Sequence, residues 1–234
     1  MFIIIDGIDG SGKSSILEAW AEAFRAQGKK VFHLKDYWAK HHRHPLPKEL
    51  EEFDAIISAE PTTVWVGAAI RQELIAQGSK YSTHAIASAF ALDRLILYTR
   101  LLNPLREQGK IILQDRGVST SLAYQSVQNP PLSFAENATI EGNALALKHA
   151  PDHLVLADVP VDVALNRLNA RAHKNDNSFY EEKEFLEKVR QQFLSTEYQQ
   201  YFTSRGTHVH VLNTEESIDR MKQKTIELLK GFLK

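Results

Sequence analysis

Residues Gly7-Ile8-Asp9-Gly10-Ser11-Gly12-Lys13-Ser14 set a glycine, four residues and then Gly-Lys-Ser directly after the apolar run Phe2-Ile3-Ile4-Ile5. The chemistry open to that spacing is a grip on the phosphates of a nucleotide. A buried strand delivers the chain to a tight turn, and Gly7, Gly10 and Gly12 let backbone N–H groups as far as Ser11 and Ser15 close on phosphate oxygens. The helix that follows points its positive end at the same place. Lys13 is then placed to reach the β- and γ-phosphates, and the Ser14 hydroxyl to hold Mg²⁺. A glycine-rich turn could match the same letters by chance, but the strand before it and the helix after it argue against that. The expectation is a site for a nucleoside triphosphate.

A second pair of reactive side chains follows another apolar run, in Ile111-Ile112-Leu113-Gln114-Asp115-Arg116. Both side chains should emerge at the carboxyl edge of the sheet, where such folds bind ligands. Asp115 could orient Mg²⁺ or its waters, and Arg116 could grip a phosphate; the alternative is a structural ion pair at a strand end. A guanine-reading Asn-Lys-x-Asp segment, expected of a GTPase after a late strand, is missing. The last strand leads instead into Asn213-Thr214-Glu215.

The elements that must position these residues are legible from periodicity. Apolar, β-rich runs at 2–5, 31–34, 111–113, 153–156 and 208–212 alternate with helical patterns at 14–27, 63–76, 83–107, 132–149, 161–170, 180–201 and 215–233. This implies an α/β fold, a five-stranded parallel sheet with helices on both faces. Pro104 should end or kink the third of these helices. With 234 residues and 43% hydrophobic content, the chain can bury one substantial core, and residues 1–234 are read as one domain. Lys and Arg total 28 against 29 Asp and Glu, so no global field recruits nucleic acid or an anionic membrane. The absence of cysteine excludes disulfides, thiolate metal sites and a thiol nucleophile. No apolar run approaches a membrane span, and no signal segment precedes the first strand, so a soluble cytoplasmic protein is expected.

Several blocks then fall in one order. They are Asp6 to Ser15, Ala59-Glu60-Pro61-Thr62-Thr63 with Gly67-Ala68-Ala69-Ile70-Arg71, and Phe90-Ala91-Leu92-Asp93-Arg94. Asp115-Arg116 with Ser121-Leu122-Ala123-Tyr124-Gln125 follows, then Pro151-Asp152, Asp158-Val159-Pro160 and Val163-Ala164-Leu165-Asn166-Arg167. Together they resemble the thymidylate kinases, P-loop enzymes that transfer the γ-phosphoryl group of ATP to dTMP with Mg²⁺.

The resemblance implies roles for individual residues. Asp9 would hold the acceptor sugar's 3′-hydroxyl and help arrange Mg²⁺. Phe90 and Arg94, four apart on one helix and hence on one face, would stack on thymine and hydrogen-bond a base carbonyl. Taken alone they read as a core residue and a solvated helix end. Tyr124 would pack on the deoxyribose or simply pack its helix, and Gln125 would read or position the base. Arg71 and Arg116 would hold the acceptor phosphate, with Lys13 and Mg²⁺ on the donor. The phosphate loop lacks the arginine that some members carry there, so that duty falls to the lid, 168–182, with Arg171 first, while Arg167 lies against adenine. The alternative for this basic stretch, His173 and Lys174 above all, is a solvated helix end. The resemblance also implies a homodimer through the long helices.

Four residues depart from the family's pattern. Asn177 follows Asp176 where an arginine is usual in the lid, Gly117 replaces an aromatic residue after Asp115-Arg116, and Thr62-Thr63 replace glycines after Glu60-Pro61. Residues 36–53 form a longer link than usual, which could cap the acceptor site or contact a partner. His41, His42 and His44 within it lack the paired acid or helical spacing of a metal site, and read as a solvated basic loop. The expected function is phosphorylation of dTMP to dTDP by charge clamping. The acceptor phosphate is already an anion and needs little help from a base. The alternatives are a kinase for another nucleoside or nucleotide, and a nucleotide-binding regulator without turnover.

Overall fold

Strict alternation in the first strand organises two layers of packing. Phe2 and Ile4 face one way and Ile3 and Ile5 the other, and all four are fully buried. The computed structural model describes residues 1–170 and 182–233. Its strands are β1 (Phe2–Asp6), β2 (Val31–His33), β3 (Ala55–Ala59), β4 (Ile111–Asp115), β5 (His153–Asp158) and β6 (His208–Asn213). They pair in parallel in the order β2-β3-β4-β1-β5-β6. The chain leaves β1 toward one edge of the sheet and leaves β4 toward the other, so a crevice opens beyond their carboxyl ends.

The sheet has six strands where five were expected. The additional one, β3, is the five-residue run Ala55-Ile56-Ile57-Ser58-Ala59, buried throughout. Its alanines and serine carry little β-propensity, and it becomes a strand by pairing with β2 on one side and β4 on the other.

Ile3 and Ile5 are covered by the helices Lys13–Ala26 and Ile218–Phe232 through Trp20, Phe24, Met221 and Leu229. The Trp20 indole N–H donates to the Thr225 carbonyl at 2.8 Å, tying the first helix to the last. The opposite face is covered by Leu97, Leu101, Leu122, Phe193 and Phe202, among others.

Several expected helices are divided, each for a local reason. The 83–107 segment runs as Thr83–Leu97, a wider π turn Tyr98–Leu102, and Asn103–Glu107. The Asn103 N–H reaches back five residues to the Tyr98 carbonyl, and that wide turn carries the chain into Pro104 without a break. The 180–201 expectation becomes Lys183–Leu194 and Thr196–Thr203, because Ser195 turns out of the helix and its Oγ accepts the Tyr198 N–H at 3.2 Å. The 132–149 expectation becomes Phe134–Thr139 and Glu141–Lys148, the former opened by a Ser133–Glu136 capping box. The 63–76 expectation becomes Trp65–Ala69 followed by a π turn, Ile70–Leu74.

The long link folds as the helix Leu34–His41 and a 3₁₀ turn, Pro47–Leu50. The Trp38 indole N–H donates to His44 Nδ1 at 3.1 Å, and the His44 ring meets the edge of Trp65 with centroids 5.0 Å apart. His44 is therefore buried, and desolvation together with the Arg100 charge pushes its imidazole down to about 4. The solvated-loop expectation holds for the exposed His41 and His42 and fails for His44.

The helix Glu141–Lys148 lies against Thr83–Leu97 so closely that a Cβ on Gly142 would sit 1.8 Å from the Ala91 carbonyl oxygen. Backbone cannot swing aside as a side chain can. Gly142→Ala is expected to destabilise the fold by about 2 kcal/mol or more, outweighing the gain in helix propensity of about 1 kcal/mol. Urea unfolding tests this, and an unchanged or raised midpoint would show that the two helices are not locked there.

Candidate active site

β1 ends in Asp6, and the chain then turns through Gly7, Gly10 and Gly12, all at positive φ. A Cβ at Gly7 would lie 2.4 Å from the Ala157 carbonyl oxygen, and one at Gly10 would lie 2.4 Å from that of Ala164. The turn is thus wedged between β5 and the helix Val161–Asn169, and only glycine fits at those two points. Lys13 opens the following helix, is buried, and donates from Nζ to the carbonyls of Gly7 at 3.0 Å and Ile8 at 2.8 Å. Desolvation, with the Arg116 charge next in weight, pushes its ammonium down to about 8. The Ser11 hydroxyl is buried with no partner among the described residues, whereas Ser14 is exposed and Ser15 half-buried.

Asp6 joins this turn to the end of β4. Its fully buried carboxylate accepts from the Gly7 N–H at 2.8 Å, from Ser119 Oγ at 2.5 Å and from Thr120 Oγ1 at 2.7 Å, and lies 3.5 Å from Arg116 Nη1. Burial raises its pKa against those favourable contacts. Arg116 adopts a left-handed backbone, φ 66°, costly for a side chain of its size. It is held there by its N–H to Ile5 O at 2.9 Å and by Gln114 Nε2 donating to its carbonyl at 2.9 Å. The guanidinium consequently swings over the phosphate loop, where Nη2 donates to Asp9 Oδ1 at 2.6 Å, and it stacks 5.4 Å from the Tyr124 ring centroid. Burial would raise the Asp9 carboxyl, but Arg116 and Lys13 outweigh it and hold Asp9 at about 2.

Next to this donor half lies a second polar cluster. Glu60 leaves the end of β3 into the protein and accepts from Arg94 Nε at 2.8 Å and Gln114 Nε2 at 2.9 Å. Burial pushes its carboxyl up to about 7, with Arg94 opposing. Arg94 is only 1% exposed, so the solvated helix end is excluded. Asp93 turns the other way and accepts both the N–H and the hydroxyl of Thr62 at 2.7 Å. Thr62, where a glycine is usual, is therefore the anchor of its loop. Arg71 donates to the carbonyls of Pro61 and Thr62, with Nη2 2.6 Å from Pro61 O. Gly117 faces Ile4, whose Cδ1 would lie 2.8 Å from an added Cβ, and the Gln114 amide that threads between Glu60 and Arg116.

Phe90 is half-buried and outside both core clusters. Tyr124 is buried against Phe185 and Phe193, at 5.7 and 6.3 Å between centroids. Gln125 is buried with its Oε1 lacking a partner among the described residues. Arg167 donates to the Thr214 carbonyl at 2.8 Å, against the loop after β6. Arg171, His173, Lys174, Asp176 and Asn177 lie outside the described residues.

The donor set fits a divalent ion. Among the described residues Asp115 Oδ1 is buried without a hydrogen-bond partner and Oδ2 receives Lys35 Nζ at 3.4 Å, while Ser14 stands exposed at the start of the helix. Among the described residues no group of three or more His, Asp or Glu side chains is placed to hold a metal ion by itself, and an ion carried by a nucleotide needs only one or two protein oxygens.

Sequence reasoning missed Asp6, Ser119 and Thr120 as the clasp under Arg116, Lys35 beside Asp115, and Asn143 against Arg94. A carboxylate ending a wholly apolar strand was the available signal for Asp6; nothing in the sequence marked Asn143.

Comparison with known proteins bears on the whole chain. Residues 41–225 match the family model for thymidylate kinase. The chain is 29% identical over 240 residues to a probable thymidylate kinase of Thermococcus onnurineus, covering 100% of this chain and 98% of that protein. The probable thymidylate kinase of Thermococcus kodakarensis matches to the same extent, 29% over 240 residues. A thymidylate kinase of Desulfotalea psychrophila is 28% identical over 232 residues, covering 99% of this chain and 95% of that protein.

The position of Lys13 has a consequence for pH. With its ammonium held near 8, the ligand-free site loses that charge as pH rises, and a polyphosphate binds the charged form. Nucleoside triphosphate affinity, measured by calorimetry, is expected to fall about tenfold between pH 7 and pH 9 by simple linkage. An affinity independent of pH over that range would remove the depressed lysine from the binding step.

Proposed function

The chain belongs to the thymidylate kinase family, and from that premise we propose a residue-level account of how it transfers the γ-phosphoryl group of ATP to dTMP, giving ADP and dTDP. The observation that carries the account is the meeting of Arg116, from the end of β4, with Asp9 and the Lys13 loop from the end of β1. Donor and acceptor phosphates repel one another, so the enzyme's main task is alignment and charge stabilisation. Residues 1–234 act as one catalytic unit in this reading.

ATP takes the loop. Its phosphates replace Lys13's present partners, the Gly7 and Ile8 carbonyls, and accept from the N–H groups of 10–15 at the positive end of the helix. Arg167, against the loop after β6, flanks the adenine. Asp115 and Ser14 would hold Mg²⁺, which supplies charge neutralisation on the β- and γ-phosphate oxygens.

dTMP takes the other side of the crevice. Phe90 offers a half-buried ring face for thymine, one helical turn from Arg94 on the same side of the helix. Arg94 donates to the carbonyl at C4 of the base, and the unpaired Gln125 Oε1 accepts from the N3–H. Tyr124 packs on the deoxyribose, and Asp9 holds the 3′-hydroxyl. Arg71 and Arg116 grip the acceptor phosphate and bring an oxygen in line with the γ-phosphorus. Arg171 is assigned the closing charge from the lid. The family resemblance and the exposed Leu92 on the helix Thr83–Leu97 support a homodimer. We place the reaction in the cytoplasm, a reading supported by the absence, among the described residues, of any helix long and apolar enough to cross a membrane.

The test is ADP formation from ATP and Mg²⁺ with dTMP, dUMP, dCMP, dGMP, AMP and thymidine presented separately, the product identified by mass. Selective conversion of dTMP is expected. Lys13→Ala and Arg116→Ala should each lower kcat by about a hundredfold or more, as loss of a charge contact made in the transition state. Near-normal turnover in folded variants would remove these two assignments.

A further inference from the structure

We propose that Asn143, on the helix Glu141–Lys148, is a positioning residue that aims Arg94 into the acceptor pocket and so sets which pyrimidine the enzyme accepts. The inference rests on the reading of Arg94 as the base contact and extends it to a helix that none of the sequence motifs includes.

A guanidinium carries five N–H donors in one plane. In Arg94 the Nε group donates to Glu60 Oε2 at 2.8 Å, Nη2 lies 2.7 Å from the same oxygen and donates to Ser121 Oγ at 3.1 Å, and Nη1 donates to Asn143 Oδ1. Four donors are thereby engaged among the described residues, and the one left is the second hydrogen of Nη1. Because the group is planar, fixing the first Nη1 hydrogen on Asn143 fixes the direction of the second.

Asn143 can serve only if its amide faces the right way, and its surroundings settle that. Its Nδ2 donates to Asn137 O at 2.8 Å and Asn137 Oδ1 at 2.6 Å, which leaves Oδ1 as the edge toward Arg94. Asn137 in turn donates from Nδ2 to Ser121 O at 2.8 Å, closing the ring of contacts back onto the helix Val118–Val127. Asn137, Asn143 and Arg94 are each at least 99% buried. The close contact at Gly142 and Ala91 brings the asparagine within reach of an arginine three residues further along the neighbouring helix.

An arginine held in this way presents a donor and cannot be turned to present anything else. The carbonyl at C4 of thymine accepts from it, whereas the amino group at C4 of cytosine is itself a donor and would leave both groups unpaired in a buried site. Discrimination of that kind is large when the polar group cannot relax and small when it can. Loosening Arg94 should therefore cost selectivity before it costs chemistry.

The experiment compares steady-state kinetics on dTMP and dCMP, with the KM for ATP and the melting temperature of each variant. For Asn143→Ala the expected result is a rise in KM for dTMP of about tenfold, an unchanged KM for ATP, and a comparable narrowing of the dTMP to dCMP ratio in kcat/KM. If Asn143→Ala fails to fold, Asn137→Ala loosens the same amide from its far side and is read by the same ratio. A lowered melting temperature with a wild-type ratio overturns the proposal and leaves Asn143 as a packing residue. Arg94→Lys separates the base contact from its positioning. If it leaves the ratio intact, the reading of Arg94 as the base contact falls; if it collapses the ratio while the asparagine variants do not, only the positioning role falls.

Discussion

The buried carboxylate of Asp6 is the constraint on which the donor half of the site depends. A charge removed from water at the end of β1 is tolerated only with several directed partners, and here they come from three places. The Gly7 N–H sets the start of the phosphate loop, the Ser119 and Thr120 hydroxyls set the helix after β4, and Arg116 supplies the countercharge. One side chain thus fixes the distance between the phosphate loop and the arginine that the proposal assigns to the acceptor. The strained backbone of Arg116 follows from the same arrangement, because only that conformation turns its guanidinium back over Asp6 and Asp9.

The acceptor half is built by a different arrangement of charge. Glu60 and Arg94 face each other in the interior, with Gln114 completing the carboxylate and Asn143 the guanidinium. Burial pushes Glu60 up to about 7 in spite of its partner, so this pair adds little to stability and is better understood as a device for orientation. β3 makes it possible. Its pairing with β4 sets Ser58 level with Gln114 and Ala59 level with Asp115, which carries Glu60 over the end of β4 and against Arg94.

That strand was also the main element not legible beforehand. The strands of strongest β-character announced themselves through isoleucine and valine, and the phosphate loop through its glycines. Ala55-Ile56-Ile57-Ser58-Ala59 has only two isoleucines set among small residues, and its place between two neighbours is a property of the sheet. The divided helices have the same origin: Ser195 caps one helix at the end of another, a choice that periodicity averaged over the whole segment does not register. Of the site, Lys13, Asp9, Arg116, Tyr124 and Asp115 lie close to one another in the structure. Lys35 was hidden because it belongs to a segment without a motif, and Asn143 because a buried asparagine betrays nothing until its neighbours are known. Gly117 and Thr62, which looked like losses from the pattern, prove to be fitted to Ile4 and Gln114 in one case and Asp93 in the other.

The cations assigned to the reaction share one property that bears on how the site works. Lys13 caps two loop carbonyls, Arg116 is paired with Asp9, Arg71 holds the carbonyls of the Glu60-Pro61 loop, and Arg94 is engaged with Glu60. Each is already oriented by partners inside the protein, so at Lys13, Arg116 and Arg71 binding exchanges one partner for another, whereas Arg94 keeps its partners and offers its remaining Nη1 hydrogen. Such an exchange weakens the net attraction for any single phosphate, since the new hydrogen bond or ion pair is offset by the one that it displaces. In return the charges stand in place before the substrates arrive and need no reorganisation as the phosphoryl group moves, which is where electrostatic catalysis has its greatest effect. Lys35 at Asp115 extends the pattern to the segment that links β2 to β3: a lysine rests on the carboxylate that would hold Mg²⁺, and it would have to leave that carboxylate for the ion to bind. A site that is self-neutralised in this way selects a ligand by how many of the released groups the charges of that ligand can satisfy.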